Sequence, residues 1–306
     1  FPFFILFFQI PTKLSKNLKY LFNFERGGEM TIQLNKDLIK SLYIPRNIDS
    51  HKGIFGHSLI IAGSNGFSGS ATITTNSAVR TGSGLVTVVT DPLIQNIISS
   101  QVLEAMTANF NETERFKNLL RESNSIAFGP GLGNSEKTLS LLEFVIDNSS
   151  STIILDADGI NVLSRKSDLL IKLKKRCIIT PHIVEFSRVS GYSVEDINND
   201  KINIVSNFAK KHSLIVLLKG YNSIISNGTN NYINTTGNSH MANGGMGDCL
   251  TGIITSLVSQ GYTPLNSLIF GTYLHGYTGD RLLEKQEIIN ASHIIENISI
   301  YLKDFS

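Results

Sequence analysis

Ser58-Leu-Ile-Ile-Ala62 runs straight into Gly63-Ser-Asn-Gly66-Phe-Ser-Gly69, and a stretch rich in small residues, Ser70-Ala-Thr-Ile-Thr-Thr-Asn-Ser-Ala78, follows. A short β-branched apolar run, closed by glycines and followed by a helical stretch, reads as one strand, one tight turn and one helix. The unit recurs outward along the chain. Apolar runs at residues 85–89, 125–128, 152–155, 177–179 and 214–218 each end in a Gly, Pro, Asp or Lys cluster. Strands alternating with helices predict an α/β fold with a mostly parallel central sheet covered by helices. In such sheets ligands sit at the carboxyl ends of the strands, where these clusters fall. Beyond residue 218 the pattern changes to two short strands, 223–226 and 231–234, arranged as a hairpin around Asn227-Gly228. Three helices, 246–260, 265–283 and 291–303, close the chain. The polar run 195–201 reads as a solvated loop or a helix start, and no internal repeat is present.

The chain has 306 residues, enough for one large core. Its 41% hydrophobic and 17% charged residues are those of a packed globular protein. A net charge of +2, with basic residues scattered among acids, excludes the basic groove of a nucleic-acid binder. Only two cysteines occur, Cys177 and Cys249, far apart and without metal-ligand spacing. They fit a reducing, cytoplasmic setting and read as small buried hydrophobes, since no base lies near Cys249 in sequence. The opening Phe-Pro-Phe-Phe-Ile-Leu-Phe-Phe-Gln-Ile is shorter than the ~20 residues of a membrane span, and Lys13, Lys16 and Lys19 follow it rather than precede it, unlike a signal peptide. Because Glu25-Arg-Gly-Gly-Glu29 precedes Met30, residues 1–29 read as a non-native or disordered upstream segment and 30–306 as the functional domain.

Three glycine loops carry the chemistry. The spacing of Gly63, Gly66 and Gly69 matches some dinucleotide-binding turns, but no tyrosine has Lys four residues on, so the catalytic pair of a short-chain dehydrogenase is missing. No glycine is followed by Lys, which excludes a Walker A loop. Gly129-Pro-Gly-Leu-Gly133, after a strand, is either a second close-approach loop or a tight turn. The most telling stretch is Asn243-Gly-Gly-Met-Gly-Asp248, which opens an apolar helix. Its glycines free several N–H groups to form an anion nest with the helix dipole behind it. Asp248 falls in the first turn, as a helix cap or as a base beside the bound anion. A plain cap does not need three such glycines, which favours the base.

The Gly-Gly-x-Gly-Asp turn resembles the anion hole and catalytic Asp of the ribokinase-like superfamily. More specifically, His51-Lys-Gly-Ile-Phe-Gly-His57, Ala62-Gly-Ser-Asn-Gly-Phe-Ser-Gly69, Gly129-Pro-Gly-Leu-Gly133, Leu155-Asp-Ala-Asp-Gly-Ile-Asn161, Thr180-Pro-His-Ile-Val-Glu185 and Leu218-Lys-Gly220 stand in the order of the NAD(P)H-hydrate dehydratases. The resemblance runs from Met30 to the C-terminus. It implies a three-layer ribokinase-like sandwich and repair of hydrated NADH or NADPH, with ADP or ATP as phosphoryl donor and Mg²⁺ as cofactor. It also implies Asp248 as catalytic base, with amides around Gly245 and Gly247 stabilising the transferring phosphoryl group. Ser70, Ala71, Gly131, His182 and Asp248 would contact the hydrated cofactor. Lys219, Gly220, Tyr221, Asn222, Ser223 and Gly247 would hold the nucleotide, and Glu185 would hold Mg²⁺ through water. A homotetramer is implied in the same way. His182, taken without the resemblance, reads as a loop residue capping the helix of Glu185. Two positions depart from the family's pattern. Met246 stands where Ser or Thr is usual, and Thr235 stands where Pro is usual. The competing readings are a kinase of a small alcohol, such as hydroxymethylpyrimidine or hydroxyethylthiazole, and a nucleotide sensor without catalysis.

Overall fold

Every apolar run expected to be a strand forms one, and all of them join a single sheet. The computed structural model describes residues 22–24 and 30–306. Their strands are β1 Phe22–Phe24, β2 Met30–Gln33, β3 His57–Ile61, β4 Leu85–Thr90, β5 Met106–Asn109, β6 Ser125–Phe128, β7 Thr152–Leu155, β8 Cys177–Ile179, β9 Ile215–Leu218, β10 Ser223–Ser226 and β11 Asn230–Asn234. In space they run β1-β2-β11-β10-β9-β8-β7-β6-β3-β4-β5. The block from β9 to β5 is parallel throughout, whereas β10 pairs antiparallel with both β9 and β11 as the expected hairpin. The expected division of the chain at Met30 concerns residues of which only Phe22–Phe24 are described, pairing antiparallel with β2.

Period-two alternation sends successive side chains to opposite faces, and here both faces are buried. Ile153, Leu155, Ile179, Val216 and Leu218 pack into one core cluster. Ile154, Ile178, Leu217 and Ile225, one residue out of phase, pack into another beneath helices Met246–Ser259 and Pro264–Leu283. Helices on both faces give the three layers. The polar run near residue 195 is helical, forming Val194–Asn199 and then entering Lys201–His212. Both cysteines are buried and free. Burial pushes the Cys249 thiol up to about 12, which makes it inert as a nucleophile at neutral pH.

Strand order reverses between β3 and β6, so the crevice at their carboxyl ends is the topological switch point. Helix Ser68–Thr81, which follows β3, lies against helix Met246–Ser259. They touch through Gly252, where an added Cβ would stand 2.2 Å from the Thr74 carbonyl oxygen and 2.7 Å from Ser77 Cβ. Only a residue without a side chain lets these backbones approach so closely. Gly252→Ala is expected to cost roughly 1–3 kcal/mol as an overpacked core, read as a lower urea midpoint at unchanged slope. A midpoint equal to that of the parent would show that the helices separate freely.

Candidate active site

The loops after β3 and β6 are tied together at the switch point. The Gly63 amide donates to the Pro130 carbonyl at 2.8 Å and the Ser64 hydroxyl to the Gly131 carbonyl at 2.8 Å. A Cβ on Gly131, whose φ is +62°, would meet Ser70 Cβ at 2.9 Å, so Gly131 and Ser70 face each other across a narrow gap. Ala71, fully buried, has its methyl packed under Gly63. Any ligand contact at Ala71 therefore falls to its backbone.

Helix Met246–Ser259 begins at Gly245, whose φ of +87° is a left-handed conformation that suits glycine, and no side chain caps this end. Its first amides are thus left for a ligand, with the helix dipole behind them. Asp248 lies in this turn without acting as a cap. Burial, with repulsion from Asp156, pushes its pKa above the usual Asp value, against the opposing pull of the Ser70 hydroxyl and the Lys219 charge. A buried carboxyl with a raised pKa is a stronger base than an exposed one.

Beneath that turn lies a buried ion pair that connects the ends of β7 and β9. Asp156, 1% exposed at the end of β7, accepts from Lys219 Nζ at 2.6 Å and from the Thr251 hydroxyl at 2.8 Å. Burial opposes ionisation of Asp156, but Lys219 outweighs it and holds the carboxyl below its usual range. Lys219 in turn stays above its ordinary value, because Asp156, Glu185 and Asp248 together overcome the cost of its burial. Gly247 sits on this pair, with an added Cβ 3.3 Å from Lys219 Nζ. Ala157, between Asp156 and Asp158, has φ +47° and ψ −117°, a strained conformation for a residue with a side chain. It turns Asp156 inward while Asp158 accepts the Gly133 amide at 2.8 Å, which fixes the loop after β6.

His182 caps helix Ile183–Ser190, its Nδ1 accepting from the amides of Val184 at 3.1 Å and Glu185 at 3.4 Å. Glu185 Oε2 accepts the His182 amide at 2.9 Å in return. The capping role read from the residues alone is therefore present, and His182 Nε2 lies 3.4 Å from Glu185 Oε1. Burial, with repulsion from Asp156, pushes the Glu185 carboxyl up despite Lys219 nearby. Among the described residues no three His, Cys, Asp or Glu side chains converge as a metal cage. With Oε2 engaged, Glu185 offers Oε1 alone. Such a donor set suits Mg²⁺, which keeps waters and binds phosphates rather than an all-protein cage.

On the other side of Gly247 opens a cavity of about 590 Å³, lined by Lys219, Gly220, Tyr221, Asn222, Ser223 and Gly247, and by Met246, residues 234–239 and helix Pro264–Leu283. All six residues expected to hold a nucleotide thus border one space. The loop carrying Thr235 is pinned despite the missing Pro: Gly237 donates to Asp280 at 3.0 Å, Asn238 to Asp280 at 2.9 Å, and Thr236 to the Tyr273 carbonyl at 3.0 Å. Gly247 borders this cavity while Asp248, one residue on, faces Ser70. One helix start therefore joins a nucleotide-sized space to the crevice of Gly131 and Ser70.

Sequence reading assigned no role to Asp156 or Thr251. For Asp156 the signal was an Asp directly after a buried apolar strand. For Thr251 there was none, because its contact with Asp156 spans 95 positions of sequence.

The sequence model of NAD(P)H-hydrate dehydratase matches residues 58–300, most of the chain. The chain belongs to the NAD(P)H-hydrate dehydratase family. Among the family's members it is 31% identical over 280 residues to the ADP-dependent (S)-NAD(P)H-hydrate dehydratase of Staphylococcus aureus, an alignment covering 90% of this chain and 98% of that one. It spans about half the length of the bifunctional NAD(P)H-hydrate repair enzymes of Moorella thermoacetica and Coxiella burnetii, 51% and 48%. The structure superposes on a ribokinase-like superfamily protein of Enterococcus faecalis with a TM-score of 0.86 at 27% identity, covering 93% of this chain and 99% of that one. It also superposes on the ADP/ATP-dependent NAD(P)H-hydrate dehydratase of Bacillus subtilis, co-crystallised with ATP/Mg²⁺, with a TM-score of 0.77 at 25% identity, covering 89% and 98%. The fold of this family member is thus the ribokinase-like sandwich.

Proposed function

We propose that the chain dehydrates the S form of hydrated NADH or NADPH back to NADH or NADPH, using ADP or ATP. The observation that carries this reading is the start of helix Met246–Ser259, where Gly247 borders the cavity of Lys219 and Asp248 faces Ser70. Phosphoryl transfer needs a donor phosphate and an acceptor hydroxyl on either side of one anion hole, with a base at the hydroxyl.

Hydroxide leaves poorly, so the C6 hydroxyl is first made a phosphate. Asp248 takes the hydroxyl proton as the oxygen attacks the terminal phosphorus, and amides around Gly245 and Gly247 hold the developing charge. The nucleotide departs one phosphate shorter. The ring nitrogen then expels phosphate, and loss of a C5 proton restores the dihydropyridine. In this reading Ser70, Ala71, Gly131 and His182 orient the hydrated ring, and Lys219, Gly220, Tyr221, Asn222 and Ser223 hold the nucleotide. Mg²⁺, held on the nucleotide phosphates and through water by Glu185, would neutralise phosphate charge. A cytoplasmic homotetramer belongs to the same reading. Among the described residues no helix is long and apolar enough to cross a membrane.

The test is incubation with hydrated NADH, Mg²⁺ and ADP or ATP. Regained nicotinamide absorbance with release of inorganic phosphate supports the reading. A stable phosphorylated alcohol formed instead from hydroxymethylpyrimidine or hydroxyethylthiazole would replace it with a kinase, and nucleotide binding without turnover would leave a sensor. A pH profile adds a second check. Asp248 acts only when ionised and its pKa is raised by burial, so kcat/KM is expected to fall on the acid side at a pH above the ~3.9 of a free Asp. A profile flat down to pH 4 would place the proton elsewhere.

A further inference from the structure

Helix Pro264–Leu283 sends two polar side chains into the nucleotide cavity that find no partner in the protein. Thr272 and His275 both line the cavity, three residues apart and hence on one helix face. Thr272 is 4% exposed, and its hydroxyl has no hydrogen-bond partner. Most helix threonines elsewhere in the molecule do not behave this way, although Thr278, on the same helix but outside the cavity, is likewise unpartnered. Thr72, Thr74, Thr75, Thr81 and Thr255 each donate to the carbonyl four residues back. His275 Nε2 is likewise buried and unpartnered. A buried polar atom left unpaired costs ~1–3 kcal/mol. Two of them bordering one concave space mark a ligand that supplies the missing partners.

We infer that Thr272 and His275 are binding residues for the donor nucleotide, each donating a hydrogen bond to its phosphate chain. The inference rests on the reading that this cavity takes the nucleotide. The phosphate end is favoured because Lys219 and Gly247 line the same cavity, and His275 lies within the field of the Lys219 charge. Burial, with that charge beside it, pushes His275 down to about 4. Its ring is therefore neutral at physiological pH, and in the Nε2–H tautomer it donates to phosphate without adding a charge.

The experiment measures ADP affinity by titration calorimetry for the wild type, Thr272→Val and His275→Asn, with Thr272→Ser and His275→Gln as variants that keep a donor in reach. Val and Asn are expected to weaken ADP roughly 10-fold each, the loss of one hydrogen bond to a charged group, while Ser and Gln stay within about 3-fold. A second readout needs no destabilising change. In ¹⁵N-histidine-labelled wild type, with the His275 signal assigned through His275→Gln, Nε2 is expected to shift when ADP is added. Unchanged ADP affinity in the Val and Asn variants, or an unmoved Nε2 signal at saturating ADP, would overturn the inference and assign both groups to a buried water. Wild-type protein that binds neither ADP nor ATP would overturn the nucleotide reading itself.

Discussion

Asp248→Asn is expected to lower turnover of hydrated NADH by about 10² to 10⁴-fold while leaving ADP affinity within a few-fold. The amide is nearly isosteric and keeps a hydrogen-bonding partner for Ser70, but it cannot accept a proton from the substrate hydroxyl. The anion hole survives the change, because it consists of backbone amides started by Gly245. Affinity and rate should therefore separate. Near-normal turnover would show that another group takes the proton, and loss of ADP binding would make Asp248 structural or metal-linked. The neutral amide also relieves the repulsion between Asp248 and Asp156. A small gain in stability is thus expected beside the loss of rate, as active-site groups often trade one for the other.

Lys219→Met is expected to be the most destabilising of the changes considered, at about 3–5 kcal/mol near neutral pH. It leaves the Asp156 carboxylate, 1% exposed, with hydroxyl partners but no cation. The pH dependence should distinguish this from simple loss of packing. In the wild type the Asp156 pKa is lowered, so its contribution to stability is present above the unfolded pKa of ~3.9 and is lost as pH falls through the folded value. In Lys219→Met the shift is expected to reverse, because the burial penalty, the largest influence on Asp156, is then opposed only by hydroxyls such as those of Thr251 and Thr180. The urea midpoints of the two proteins should therefore converge as pH is lowered from 8 towards 4. Adding Asp156→Asn to Lys219→Met should recover much of the deficit, since no charge is then buried alone. A single variant as stable as the wild type at pH 8 would show that water reaches Asp156.

How much of this was legible in the sequence depended on burial and on distance along the chain. Runs such as residues 125–128, 152–155 and 177–179 are strands with those same limits, because central strands buried on both faces must be apolar throughout. Strand β5 went unread. Its Met-Thr-Ala-Asn has no apolar run, since it lies at the sheet edge with Met106 43% exposed. The same split holds in the site. Glycines at Gly245 and Gly247, the lone Lys219 after a strand and Asp248 are local signals, and they gather where their spacing implied. Asp156 pairs with Lys219 across 63 positions, and Thr272 and His275 reach the cavity from a helix whose pattern is that of an ordinary core helix. Such side chains become visible only once the chain has folded.

Helix Met246–Ser259 covers the central sheet and supplies Gly247, Asp248 and Thr251, yet it lies in the last quarter of the sequence. During synthesis, Ile154, Ile178 and Leu217 emerge long before the helix that shields them. A ribosome paused ahead of residue 246 would thus present a bare apolar sheet face, a ready target for chaperones and for aggregation. Catalytic competence and solubility would then arrive together, in one late step.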